Sequence, residues 1–214
     1  QVVISSEECA RDLSSPPAMT LQDKIFIRKE SIRRMLWEKV QEWQWHKLES
    51  AASRAFSFYP FESDIDAALD KMTEVESRSI LLHERGEIET SKNLGAEWKQ
   101  FIVSLSSVRL ELMLRAAKDF YADTSVMLPE LIENNNQASL HFFAANMSPL
   151  RKQLCPSFLQ AYQQWTKCSD LSLLSEWVEK SRIHWQSICV EALHQHENTL
   201  SEHEIERYLE NNPL

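Results

Sequence analysis

Apolar residues recur through most of this chain every three to four positions, the spacing of one buried face of an α-helix. Residues 1–19 stand outside that pattern, and Ser14-Ser15-Pro16-Pro17 reads as a stop that leaves them a flexible lead-in. Thr20 as N-cap and Asp23 in the first turn then predict a long helix over 21–56, closed by Pro60. Ser63 followed by Asp66 opens a second helix, with Ile65, Leu69, Met72 and Val75 on one stripe. Gly95 suits the left-handed position past the end of that helix, and Gly86 is the competing stop. A third helix places Trp98, Phe101, Ile102, Leu105, Val108, Leu112 and Ala116 on one face, continues to Tyr121, and is kinked or ended by Pro129. Asn134-Asn135-Asn136 is the clearest turn. Beyond it the helices shorten, with Ser148-Pro149 as N-cap and first helical position and Cys155-Pro156 as a break. Asp170 starts a further long helix, and Ser201 with Glu204 forms a capping box for a short last one.

The fold class this predicts is all-α: an up-and-down bundle of long antiparallel helices with shorter C-terminal helices, residues 20–212 forming a single domain. Composition narrows the reading further. Only Gly86 and Gly95 are glycines, so hairpin-rich β folds, GxGxxG turns and phosphate-cradling loops lack their usual residue. A hydrophobic fraction of 43% against 26% charged is that of a globular chain, not a disordered one. No apolar run approaches the ~20 residues that span a bilayer, so no membrane span is expected. Val2-Val3-Ile4 is too short for a signal-peptide core. A cytoplasmic protein with reduced cysteines follows, or a periplasmic or extracellular one if this is a trimmed fragment. In that second case Cys155 and Cys168 are the pair able to bridge.

A net charge of -9 repels phosphates over the molecule as a whole, and no nucleic-acid partner is expected. The charge is unevenly spread: residues 21–54 carry eight Lys or Arg against five Asp or Glu, and residues 62–90 carry three against nine. Two adjacent helices of opposite sign can pair; alternatively the basic one is a docking face.

Candidate chemistry is sparse. Carboxylate-bridged di-metal bundles draw a Glu from each of two helices and a Glu-x-x-His from each of two others. Here Glu191 and His194 supply that motif once, Glu42 and His46 form a looser pair, and His83 and Glu76 are further donors. His194, His196 and His203 lie in a glutamate-rich stretch that can be a loose metal site or a solvated helix end. No Gly-x-Ser-x-Gly elbow is present. No cofactor is expected, a di-metal centre being the exception the Glu-x-x-His motif leaves open.

The predicted first helix carries two apolar stripes. Ile25, Ile32, Leu36, Val40 and Trp43 form one, and Trp37, Trp45, Leu48, Ala52, Ala55 and Phe56 form a second, turned well over 90° away. Either this helix is surrounded by its own chain, or Trp37, Trp45, Leu48 and Phe56 meet a protein partner or a second copy. The reading that results is a non-enzymatic helical interaction or scaffold module. Two alternatives stand beside it. The stretch from Met127 through Glu133-Asn134-Asn135-Asn136 to Pro149-Leu150 resembles the third-to-fourth helix turn of bacterial chemoreceptor sensor domains, which implies a ligand-sensing bundle. The metal donors imply a helical di-metal or haem oxidoreductase.

Overall fold

A computed structural model describes residues 1–6, 16–21, 24–46 and 49–214. Its packing forms two compact units, Gln1–Arg85 with Glu133–Asn146, and Gly86–Ile132 with Met147–Leu214. The described residues are predominantly helical, as expected, but they begin with a small sheet.

In the first unit, β1 (Val2–Ser5) runs parallel to β3 (Lys24–Arg28), and β2 (Ala18–Leu21) runs antiparallel to β3 on its other side. Ile25 and Ile27 point to the core while Lys24, Phe26 and Arg28 do not, a period-two alternation across β-branched and aromatic residues. The helix expected over 21–56 is therefore corrected. Its first part is strand, α1 spans Lys29–His46, and α2 (Ala51–Phe56) restarts from Ser50, whose side chain accepts the Ser53 N–H. Val2–Ser5, within the expected lead-in, pairs as strand; residues 7–15 lie outside the described ones.

α3 (Ile65–Ser104) is capped by Asp64, whose Oδ1 accepts the Ala67 N–H at 3.0 Å, one residue beyond the expected Ser63. Of the expected stripe Leu69 and Met72 are buried, Val75 is half-buried and Ile65, at the helix start, is exposed. The opposite charges of the two segments do meet: Arg33 of α1 bonds Asp66 and Asp70 at 2.7 and 2.8 Å, and Lys29 bonds Glu74. These exposed pairs contribute little stability each. The core beside them is aromatic, with Phe56 centred 5.1 Å from Trp43 and 5.6 Å from Phe61. α6 (Gln137–Ala145) packs on α2 and is capped by Asn136, just past Asn135, which holds a φ of 49° in the expected turn.

The second unit takes α3 from Gly86 onward. Gly95 has φ 80° and ψ −179°, a region open essentially to glycine alone, so α3 kinks there and continues. The continuous third helix is corrected too: α3 ends at Ser104, and α4 (Val108–Ala122) starts from Ser107, whose hydroxyl accepts the Leu110 N–H. A π-helical turn, Asp123–Met127, leads into α5 (Leu128–Glu133), where Pro129 occupies an early position. α7 (Pro149–Leu154) and α8 (Pro156–Cys168) begin at their prolines, and α9 (Ser172–Glu197) and α10 (Glu202–Asn211) follow. The Ser201–Glu204 capping box is present in both halves. Phe120 of α4 stacks on Trp185 of α9 at 4.9 Å, at the middle of this core.

Candidate partner-binding groove

Three contacts bring α3 and α4 together within the second unit. Gly86 lets the backbones touch, since a Cβ there would fall 2.5 Å from the Ala122 carbonyl oxygen. The Asn93 amide donates to the Tyr121 hydroxyl at 3.1 Å, and Lys118 pairs with Glu87. Next to these contacts a groove of about 880 Å³ lies between Glu87–Val103 of α3 and Arg115–Asp119 of α4. Trp98 and Ile102 are nearly buried in its wall, while Val103 is 77% exposed. Four cations line it, Lys92, Lys99, Arg115 and Lys118, against two anions, Glu87 and Asp119. Arg115 pairs with Glu111 one turn back. Lys92 and Lys99 have no partner among the described residues. In a chain of net charge -9, this is an apolar surface edged with positive charge.

The first unit holds a buried polar centre instead. Glu76 of α3 is only 3% exposed and its Oε1 accepts the Ser139 hydroxyl of α6 at 2.7 Å. Burial pushes its carboxyl up to about 7, with the Ser139 and Ser79 hydroxyls pulling the other way. Tyr59 is raised by burial and by the Glu76 charge. His141 is buried beside Phe58, and burial, then the Arg54 charge, lower it to about 4, so the imidazole is neutral at pH 7. The Tyr59 and Thr73 hydroxyls are buried with no hydrogen-bond partner among the described residues, a pattern that ordered water commonly satisfies.

The metal candidates are carried on α1, α3 and α9. Glu191 and His194 form an exposed pair on α9, Oε2 to Nδ1 4.0 Å. Glu42 is exposed on α1, where His46 is the last residue, and His83 is half-buried on α3. His196 stacks on Phe101 at 4.4 Å. Among the described residues no three His, Cys, Asp or Glu side chains gather as a metal site. Cys155, Cys168 and Cys189 are free thiols; burial raises Cys155 and Cys189 above the ordinary thiol range.

The predicted partner stripe also divides. Phe56 is buried in the first core, Trp37 is half-buried, Trp45 is 84% exposed, and Leu48 lies outside the described residues. The groove itself escaped sequence reasoning. Trp98 and Ile102 were legible on the predicted third-helix face, but Val103 was not, and nothing in the spacing says that α4 turns back to put Arg115 and Lys118 opposite Lys92 and Lys99.

Compared with known families, residues 33–212 match a family model described as "Family of unknown function (DUF6866) C-terminal domain". No curated protein matches the chain, and no solved structure does.

Proposed function

Since the chain belongs to the DUF6866 family, matched there as the C-terminal domain, we propose that it is a non-enzymatic helical interaction module whose partner seats in the α3–α4 groove. In this reading the helices of the second unit stand as an antiparallel up-and-down bundle that carries the groove. The protein works in the cytoplasm, where Cys155, Cys168 and Cys189 stay reduced.

The observation that carries the proposal is the groove's surface: an open apolar strip ending in a largely exposed Val103, beside two lysines without partners among the described residues. Val108 and Leu112, one turn apart on α4, are more than half exposed and add apolar surface on the same helix. Contiguous exposed apolar surface rimmed by polar groups is a feature of interaction sites. The test is photo-crosslinking in the host cell from a photoreactive residue placed at position 103, compared with one at the exposed Val190 of α9. A discrete adduct from 103 that is absent from 190 is expected; identical adducts from both, or none from 103, sinks the proposal.

A further inference from the structure

The chain already contains one helix of the kind its groove would hold. α10 is acidic and amphipathic: Ile205 and Leu209 are fully buried, while Glu202, Glu206 and Glu210 meet α4 and the turn before it. Arg109 of α4 bonds Glu206 at 3.0 Å and also pairs with Glu210, and the Glu202 carboxylate accepts the N–H groups of Ser106 and Ser107 at 2.9 and 2.7 Å. Carboxylates spaced one turn apart are thus read by a cation of α4 while the apolar face is covered.

Further along α4, Arg115 and Lys118 offer the same chemistry on the side that faces α3, with Lys92 and Lys99 opposite. We infer that the α3–α4 groove takes an acidic amphipathic helix from a partner protein, its carboxylates toward Lys92, Lys99 and Arg115 and its apolar side on Ile102 and Val103. This rests on the reading of the groove as the partner site and adds the partner's chemistry. A small organic anion fits less well. Drug-sized ligands bury most of their surface in a pocket, and a groove whose apolar end is as exposed as Val103 leaves one side of the ligand in water. α10 of a second copy does not fit either, because its apolar face is already covered within its own chain. A basic helix would bring like charge against Lys92 and Lys99, which have no carboxylate partner among the described residues.

The test uses the whole chain and a fluorescent synthetic helix of about 18 residues, ~27 Å long, with Leu at i, i+3, i+4 and i+7 and Glu elsewhere. A control peptide carries Lys in place of every Glu. Anisotropy titration reads affinity, and amide hydrogen exchange reads location. The acidic peptide is expected to bind, to slow exchange at residues 91–103 and 115–119, and to weaken as salt is raised. Lys92→Glu with Lys99→Glu, and separately Val103→Asp, should each lower its affinity about tenfold or more, while Lys180→Glu on α9 leaves it unchanged. Unaltered affinity in both groove variants, or protection elsewhere, overturns the inference. If the Lys peptide binds the groove as well as the Glu peptide, the site stands as an interaction surface and the acidic partner is wrong. If decanoate protects the groove and neither peptide does, the occupant is a small anion. If nothing binds and position 103 gives no crosslink, the inference and the interaction reading fall together.

Discussion

A carboxyl lifted to about 7 by burial is half ionised at neutral pH, so Glu76 makes the stability of its unit depend on pH. Its folded value lies above the ordinary 4.5, so the stability it lends is full below about pH 4.5 and is lost as pH rises to about 7. His141 acts in the opposite sense. Its folded value is lowered from 6.5 to about 4, so its contribution is present above 6.5 and is lost as pH falls toward 4. The two slopes overlap and oppose, and the wild type should show a muted pH dependence across that window. Glu76→Gln should expose the histidine slope, stability then rising from pH 4 to 6.5; at pH 8 it should stabilise by up to about 3 kcal/mol if the Ser139 bond is kept. His141→Phe should expose the glutamate slope, falling from pH 4.5 to 7. Urea midpoints at half-unit pH steps measure this, and parallel profiles for all three proteins would refute it. In the sequence Glu76 stands out only as a further candidate metal donor on a predicted helix. What sets it apart is Ser139, 63 positions away and brought beside it by α6.

Among the elements, α3 depends on its two glycines for different reasons. Gly86→Ala drives a Cβ into the Ala122 carbonyl of α4, backbone against backbone, and should cost about 1–3 kcal/mol. A Cβ at Gly95 would meet the Glu97 carboxylate at 2.5 Å, the far end of a flexible side chain that can move away, but Gly95→Ala must also hold φ 80° and ψ −179°, which should cost a similar ~1–3 kcal/mol by strain. Both are read as urea midpoints at unchanged slope, and a neutral Gly95→Ala would show that the kink is not kept in solution. On α1, Ile32, Leu36 and Val40 form the stripe that is wholly buried, and Trp45 stands largely in solvent. Trp45→Ala should therefore leave stability within about 0.5 kcal/mol. A collapse in melting temperature contradicts that placement, whereas a drop in solution mass at unchanged stability assigns the tryptophan to a contact between copies. The first helix was misread because a 100° count admits Ile25 to a stripe, yet Ile25 and Ile27 obey a period of two and β1 and β2 were there to pair with. The third was misread at Leu105–Ser107, where Glu202 caps the broken backbone from 95 and 96 positions away.

For the whole molecule, none of the described helices is long and apolar enough to cross a membrane. Glu191 and His194, the single Glu-x-x-His motif, are a surface pair within one helix, and among the described residues no three donors gather as a metal site. Protein purified without added ions should accordingly carry metal well below one ion per chain by elemental analysis; iron or manganese near two per chain would restore Glu191 and His194 as ligands.

Local chemistry was enough to determine the helical class and most of its punctuation. The Asn134–Asn136 turn, the Ser148-Pro149 start, the break at Cys155-Pro156 and the Ser201–Glu204 box all depend on residues within four positions of one another. The positive φ at Gly95 belongs with them, because only the absence of a side chain allows it. The sheet, the break before α4, the Glu76 centre and the groove were decided by tertiary structure alone. Each joins groups far apart in the chain, and a one-dimensional pattern carries no term for which faces meet.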